Sequence, residues 1–350
     1  MVANSCNALR RTTPLSEVSE VSIVSRQSGF TLVELLIGMA LLLIMLTVAF
    51  TIFSSSNQIV ESDTGRIMAS QNTQAAADMI VNDLRQAGEN LELELGISGV
   101  EFDSDAQRLI IRRSIPPFTA AQVGSSTSYI GQKPARLPVC NVSGTSLQVV
   151  GPPPGSTTST SMCSYNTVSA SDIDDARVKT WRLYFAAEGP QTALLYTPQS
   201  GGLPPKIMTV AVRSIGPVPN SSVASNQRRI AVTIDSAIPS TYTVNGATLL
   251  ILIDERRYMV SDKELKLADK GQADTDAQPV AFDVSKMTVS ANLTNPTETV
   301  TSMSATGPWS RLKSIRLELT GTTAGQGSNK SRTFQATVFP RNVETARGGK

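Results

Sequence analysis

The pattern of apolar positions divides the chain into a helical first part and a β-rich remainder. Residues 30–53 are apolar almost throughout, and over residues 66–87 apolar side chains recur every three or four positions. That second spacing places them on one face of a helix, as a stripe suited to packing on a sheet. Because no proline interrupts these residues, the pattern predicts one continuous helix over residues 30–88 that ends at Gly88.

The rest of the chain, residues 89–350, is predicted to form a β-rich head with connections rich in Ser, Thr, Gly and Pro. The clearest strand is Ser314–Thr320, in which apolar and polar side chains alternate. The other predicted strands are Arg108–Ser114, Val178–Ala187, Ala193–Thr197, Ile207–Ile215, Arg229–Asp235, Thr248–Ile253, Val284–Leu293 and Arg332–Phe339. Residues 262–278 are expected to form an exposed polar loop or short helix, and residues 120–175 an insertion. The expected fold class is α+β, with the long helix packed on an antiparallel sheet.

The first apolar segment has the length and composition of a membrane-spanning helix. As a helix, residues 30–53 would extend about 36 Å, enough to cross a hydrocarbon core of about 30 Å. Arg10, Arg11 and Arg26 precede the segment, and a basic flank of this kind places the N-terminus in the cytoplasm and the head across the membrane. A cleaved secretory signal is disfavoured because its apolar core would have only about 7–15 residues.

Glu34 is the only charged residue of the apolar segment, and an unpaired carboxylate in lipid costs a few kcal/mol. Residues 26–37, with the sequence RQSGFTLVELLI, resemble the N-terminus of a type IV prepilin. The resemblance implies that a prepilin peptidase cleaves between Gly29 and Phe30 on the cytoplasmic side and methylates the Phe30 amine. Residues 1–29 are then a leader. In a bundle of such helices, Glu34 pairs with the Phe30 amine of a neighbouring subunit, which offsets the cost of the charge and sets the axial register.

Two further segments are similar to the large minor pilins of the PilW type. Residues 74–88 resemble the second half of the pilin helix, and residues 333–342 resemble the last strand, although Pro340 departs from the usual pattern. The similarity implies a minor pilin held in the inner membrane before assembly, with its head in the periplasm. It would then join the pilus tip with other minor pilins and the major pilin as partners, and a tip adhesin as a possible further partner.

Two alternatives to this interpretation are open from the sequence. The first is a J-type pseudopilin of a type II secretion system, which would assemble through the same kind of helix. The second is a signal-anchored periplasmic enzyme or adhesin that never polymerises. This second alternative predicts an uncleaved N-terminus and an assembly-independent role for residue 34.

Charge and composition exclude several classes of function. The formal net charge of +2 argues against a dedicated nucleic-acid-binding protein, which normally has a clear basic excess. Adjacent arginines occur at 112–113, 228–229 and 256–257. They are expected to form ordinary salt pairs, with a DNA-binding surface as the alternative.

Catalytic and metal chemistry have little support in the sequence. Histidine is absent, which excludes histidine triads and histidine-ligated zinc. No nucleophile–base pair or glycine-rich phosphate loop is visible, so we expect neither an enzyme nor a cofactor. Two acidic clusters do not match a calcium-binding loop, and no metal site is expected. Their members are Asp172, Asp174, Asp175, Asp269, Asp274 and Asp276.

Two of the three cysteines lie in the part of the chain predicted to be exported. Cys6 belongs to the predicted leader, whereas Cys140 and Cys163 lie in the head. A disulfide persists in an oxidising compartment, and the Ser-, Thr-, Gly- and Pro-rich segment around these residues has few other means of order. The expectation is a Cys140–Cys163 bridge, with two unrelated buried thiols as the alternative.

Overall fold

The computed structural model describes residues 31–91, 97–124, 126–152, 161–198, 205–240, 242, 244, 247–323 and 330–343. The chain divides into two compact units, Met1–Val60 and Glu61–Lys350. The predicted leader, residues 1–29, lies outside the described residues.

The described elements are three α-helices and sixteen strands. The helices are α1 (Leu32–Gln86), α2 (Ala120–Val123) and α3 (Ala176–Glu188). The strands are β1 (Val100–Asp103), β2 (Arg108–Ser114), β3 (Leu137–Pro138), β4 (Asn141–Ser143), β5 (Ser146–Val150), β6 (Gln191–Thr197), β7 (Lys206–Ile215), β8 (Ile230–Ile234), β9 (Leu249–Ser261), β10 (Glu264–Ala268), β11 (Gln278–Phe282), β12 (Val284–Leu293), β13 (Glu298–Val300), β14 (Ser302–Met303), β15 (Leu312–Thr323) and β16 (Lys330–Val338). A long N-terminal helix and an antiparallel β-sheet head confirm the predicted α+β class.

The end of α1 is fixed by contacts with later parts of the chain. Gly88 has a φ of 73°, in the left-handed region where glycine commonly follows a helix. Its N–H donates to the carbonyl of Arg112 at 2.8 Å, and the Asn342 side chain donates to the carbonyl of Ala87 at 3.1 Å. A Cβ at Gly88 would lie 2.4 Å from the ring of Trp309. A larger residue at this position would therefore displace the tryptophan.

The distal half of α1 comprises residues 61–86, and from Ala69 onward it packs on a four-stranded antiparallel sheet with the order β13-β12-β15-β16. The helix and the sheet bury apolar side chains against each other, among them Ala76, Ala77, Ile80, Leu84, Met287, Val289, Leu317 and Leu319. The predicted stripe is confirmed at Ile80 and Leu84, whereas Ile67 is 57% exposed. The approach is close, because a Cβ at Gly321 of β15 would lie 2.3 Å from the hydroxyl of Thr73.

The second sheet has twelve described strands, with the order β14-β1-β2-β9-β6-β7-β8-β5-β4 and with β3, β10 and β11 paired off this path. Strand β9 joins its two halves. The residues of β9 from 253 to 259 pair with β2, and those from 249 to 252 pair with β6.

Residues 115–248 form an inserted lobe between two strands that lie side by side. The chain leaves at the end of β2 and returns at the start of β9, and these strands pair with each other. The lobe contains β3 to β8 and helices α2 and α3, and much of it surrounds a separate core that includes Trp181, Leu195 and Val232. The predicted insertion over 120–175 is therefore part of a larger inserted lobe.

One predicted strand is wrong: Val178–Ala187 lies within helix α3. The Asp175 carboxylate accepts hydrogen bonds from the N–H groups of Arg177 and Val178, and such an N-cap favours a helix at this point. Val178, Trp181 and Tyr184 are buried at intervals of three residues, which is helical spacing and not strand alternation.

The polar segment over 262–278 is also structured differently from the prediction. It contains strand β10, in which Leu265 is fully buried and faces the core while its neighbours are polar. Short strands outside the predicted set are β1, β3, β4, β5, β11, β13 and β14. The remaining predicted strands agree with observed ones, and Arg108–Ser114 and Val284–Leu293 have the same bounds.

Candidate assembly interface

The first half of α1 is an exposed apolar helix. One window of α1 is long and apolar enough to cross a membrane by length and composition. Its large side chains are mostly more than half exposed, with Leu32 at 75%, Met45 at 74% and Phe50 at 72%. Apolar surface of this extent is unfavourable in water and marks contact with lipid or with other apolar helices.

Glu34 lies in the first turn of α1. Its N–H donates to the carbonyl and hydroxyl oxygens of Thr31 at 3.1 and 3.3 Å, so Thr31, just before Leu32, caps the start of the helix. A carboxylate in this turn is favoured by the partial positive charge at a helix N-terminus. Among the described residues, no side chain or backbone group bonds to the Glu34 carboxylate.

The other polar side chains of the apolar segment have partners within their own helix. The Thr47 hydroxyl donates to the carbonyl of Leu43 at 2.7 Å, and the Thr51 hydroxyl donates to the carbonyl of Thr47 at 2.8 Å. A hydroxyl that donates to a carbonyl of its own helix costs less free energy to bury in lipid than an unbonded hydroxyl. The carboxylate of Glu34 is therefore the one polar side chain between Leu32 and Phe53 that has no described partner.

The predicted cleavage site and the predicted partner of Glu34 both precede α1 in the sequence. Gly29 and Phe30 lie outside the described residues. Cleavage between them, methylation of Phe30 and pairing of its amine with Glu34 of a neighbour stay predictions of the sequence.

The distal half of α1 also contains an acidic residue on its inner face, but this one is paired. Asp83 is 6% exposed. Both of its carboxylate oxygens accept hydrogen bonds from the Arg256 guanidinium, at 2.8 and 2.9 Å, and one also accepts from the Tyr258 hydroxyl at 2.5 Å. Both donors lie on β9. The three side chains therefore fix α1 at one register on β9 of the twelve-stranded sheet.

The pKa values of the donors agree with this arrangement. Burial raises the pKa of Tyr258, and the negative charge of Asp83 raises it further. Burial opposes the charge on Arg256, but the hydrogen bond and the charge of Asp83 outweigh burial and raise the pKa of this arginine. The tyrosine therefore stays neutral and the arginine charged over the ordinary pH range.

Asp83, Arg256 and Tyr258 are absent from the predicted site residues. The pattern places Asp83 among the polar positions between the apolar residues of the predicted stripe, whereas the structure buries it. A buried acid needs partners, but sequence spacing does not identify β9 as the element that supplies them.

The arginine pairs at 112–113 and 256–257 form salt pairs, as predicted, whereas Arg228 and Arg229 bond to backbone carbonyls. Arg112 is 2% exposed and donates to Glu255 at 2.8 Å and to Glu101 at 2.5 Å. Burial works against its charge, but the two glutamates outweigh burial and raise the pKa of Arg112. Arg113 pairs with Asp254 at 2.6 Å.

The other arginine pairs are likewise engaged. Arg257 binds Asp274 at 2.7 Å, and Arg256 binds Asp83 as described above. Arg228 and Arg229 donate to backbone carbonyls of Val223 and Pro152.

The acids of the first cluster, and Asp274 of the second, form local pairs with nearby basic side chains. Asp172 pairs with Lys179, and Asp174 pairs with Arg182 at 2.9 Å. Asp175 is the N-cap of α3. In the described part of the chain, no group of three His, Cys, Asp or Glu residues could hold a metal ion.

The structure joins Cys140 and Cys163 in a disulfide, with their Cα atoms 5.9 Å apart. The carbonyl of Cys163 also accepts a hydrogen bond from the N–H of Gly151 at 2.7 Å. Within the inserted lobe, these contacts join Cys163 to Gly151, just after β5, and to Cys140, just before β4. Formation of this bond in the exported protein stays a prediction.

The comparisons with known proteins identify one segment. Residues 24–50 match the prokaryotic N-terminal methylation motif. No curated protein and no solved structure matches the chain. The matched residues include the predicted cleavage site and Glu34, and such a motif implies processing by a prepilin peptidase and assembly with other pilins. The motif and the exposed apolar helix that follows it support a type IV pilin-family protein, either a pilin or a pseudopilin.

Proposed function

We propose that this chain is a minor pilin of the PilW type that joins the tip of a type IV pilus and helps to initiate its assembly. The observation that carries the proposal is Glu34, a carboxylate without a described partner in an otherwise apolar, exposed helix. The resemblance of residues 74–88 and 333–342 to PilW-type proteins supports the subtype. The motif itself favours a structural role over an enzymatic one.

In this proposal, removal of residues 1–29 creates a positively charged amine at Phe30. The apolar parts of α1 from several subunits then pack together, and the amine of one subunit pairs with Glu34 of the next. The attraction between these charges is much stronger in a low-dielectric bundle than in water. It offsets the cost of burying either charge alone. Because the pair forms at one axial offset only, it also sets the register of the subunits.

The head presents contact surface and does not contribute to the helical bundle. Its partners are other minor pilins and the major pilin, and a tip adhesin is a further candidate. The Asp83 pairs give the head a fixed register on the distal half of α1. The inserted lobe, residues 115–248, adds surface beyond what packing of this half of α1 requires.

Mass analysis of the N-terminus tests the first step of the proposal. Protein purified from its own host is expected to begin at Phe30 and to carry one additional methyl group. A Gly29→Leu variant is expected to remain uncleaved. The matched control is Gly38→Ala, because a Cβ at this helical glycine meets no atom within 4 Å. Finding residues 1–29 attached to an unmodified Phe30 would contradict the proposal and support the anchored alternative.

The phenotype of a strain that lacks this protein distinguishes a role in a type IV pilus from a role in a type II secretion system. Loss of surface pili with intact protein secretion is expected for a minor pilin. Loss of secretion with intact pili would contradict the pilus assignment and identify a pseudopilin with the same helix chemistry.

A further inference from the structure

The edge strands of the two sheets differ in how well they are protected from pairing with a strand of another chain. The end strands β14, β4 and β13 have two or three residues each. Strand β11, which pairs only with β10, contains Pro279. Short edges and edge prolines are common devices against pairing with another chain. Strand β16 has neither, since it has nine residues and no proline.

Strand β16 also has a regular backbone. It pairs with β15 over its whole length without a register shift. No other backbone hydrogen bond of the described residues reaches β16. Alternate N–H and C=O groups along one side of this strand therefore have no described partner, and such a row is a template for an added strand.

The surroundings of this edge are basic. Arg332 on β16, Lys313 on β15 and Arg341 just beyond β16 are exposed, and none of them forms a salt bridge with a described acid. The nearest acid on the neighbouring strand, Glu318, is taken by Arg316 at 2.8 Å. Two copies of this edge would bring like charges together, which disfavours pairing between identical chains.

We propose that the free edge of β16 binds an extended acidic segment of another protein, which adds to the four-stranded sheet as a fifth strand. Main-chain hydrogen bonds would supply much of the affinity, and the arginines at the two ends of the strand would select acidic sequences. Phe339, just beyond β16, is 63% exposed and offers an apolar anchor. The inference does not rest on polymerisation through α1.

A short peptide of alternating valine and glutamate tests the proposal with the full chain in detergent. It is expected to bind at least about tenfold more tightly than the same peptide with lysine in place of glutamate. Methylation of alternate backbone nitrogens removes hydrogen-bond donors and keeps the charge, so it is expected to weaken binding by about tenfold or more. Equal binding of the methylated peptide would reduce the interaction to simple charge attraction and overturn the proposal.

Charge reversal on the protein locates the site. The double variant Arg332→Glu and Arg341→Glu is expected to weaken binding of the acidic peptide by about tenfold. Lys133→Glu is the matched control, because this exposed lysine lies in the inserted lobe and forms one hydrogen bond of 3.3 Å to Ser114. Equal loss in the control variant would contradict the assignment to β16.

Hydrogen exchange of the backbone amides distinguishes the possible occupants. In the free chain, alternate amides of β16 are expected to exchange rapidly and to become protected when the acidic peptide binds. Protection of all β16 amides in the free chain, independent of protein concentration, would show that the chain covers its own edge. Protection that rises with protein concentration would identify a second copy as the occupant. Either result would overturn the proposal.

Discussion

Each half of α1 contains one acid among apolar residues, but only the acid of the distal half has partners within the chain. In the distal half, Asp83 is held by Arg256 and Tyr258 of the same chain. In the first half, Glu34 lies among apolar side chains and has no described partner. The charge of Asp83 is therefore compensated within the molecule, whereas no described residue compensates the charge of Glu34.

This difference distinguishes residues that stabilise the fold of the chain from residues that are available to bind other subunits. From Ala69 onward, the distal half buries its apolar face within the head, so the acid on that face has its partners in the same chain. The first half exposes its apolar residues around the helix. A residue whose partners are all internal is expected to affect stability. A residue without internal partners is expected to affect association.

Removal of the Asp83 carboxylate is expected to have the largest effect on stability. Asp83→Ala leaves the Arg256 charge without its partner, and the expected loss is about 3–5 kcal/mol in the free energy of unfolding. Denaturant unfolding of the full chain in detergent measures it. The double variant Asp83→Leu with Arg256→Met removes both charges and should recover the part of the loss that comes from the unpaired arginine, while the Tyr258 hydroxyl still lacks its acceptor. Equal instability of the single and double variants would contradict an ion-pair role.

Loss of the disulfide is expected to be the next largest effect. The bridge joins residues separated by 23 positions, and closure of a loop of this size stabilises a fold by about 3 kcal/mol in the chain-entropy model. Cys140→Ser with Cys163→Ser should lower the stability of the head by about this amount. Unmodified exported protein should show no reactive thiol at these positions. Free thiols in exported protein would refute the bridge.

Removal of the Tyr258 hydroxyl is expected to have a smaller effect than removal of Asp83. Tyr258→Phe keeps the buried ring and deletes one hydrogen bond to a charged carboxylate, with an expected loss of about 2 kcal/mol. The same unfolding measurement applies. Tyr196→Phe is the matched control, since this tyrosine is also buried and lies outside the Asp83 group. A larger loss in Tyr196→Phe than in Tyr258→Phe would contradict the role of the hydroxyl.

Alkaline pH is expected to weaken the head through tyrosines that are buried, such as Tyr258, or partly buried, such as Tyr165. Burial raises the pKa of Tyr165 to about 12 and also raises the pKa of Tyr258. The unfolded chain ionises near pH 10, before the folded chain does. The stabilising contribution is therefore complete below about pH 10 and is lost as pH rises toward the folded-state pKa values. Unfolding measured at about pH 8 and about pH 11 should show the decline, and Tyr258→Phe should reduce it.

Local patterns in the sequence predicted the long helix and most of the longer strands. Alternation identified β15, and the apolar stripe identified the helix face at Ile80 and Leu84. Helix α3 was misread as a strand because its sequence is rich in apolar and aromatic residues, while its periodicity and the N-cap Asp175 indicate a helix.

The parts that sequence reasoning missed depend on contacts between distant residues. The pairing of β2 with β9 defines the inserted lobe, although about 130 residues separate these strands along the chain. The Asp83 partners lie 173 and 175 positions away. Glu34 differs in this respect. The motif around it and the cost of a lone charge in lipid can both be recognised from neighbouring residues, so the sequence alone indicates this residue.

The most direct test of the assembly role compares two acids on the same helix. Glu34→Gln removes the charge proposed to pair with a neighbouring Phe30 amine. Glu61→Gln is the matched control, because Glu61 is also exposed on α1 and forms no described side-chain pair. Each variant is expressed in the host, and its incorporation into sheared filaments is measured relative to its amount in the membrane. Loss of a pair worth about 3 kcal/mol predicts about a hundredfold lower incorporation of Glu34→Gln and no change for Glu61→Gln. Normal incorporation of Glu34→Gln would contradict the account.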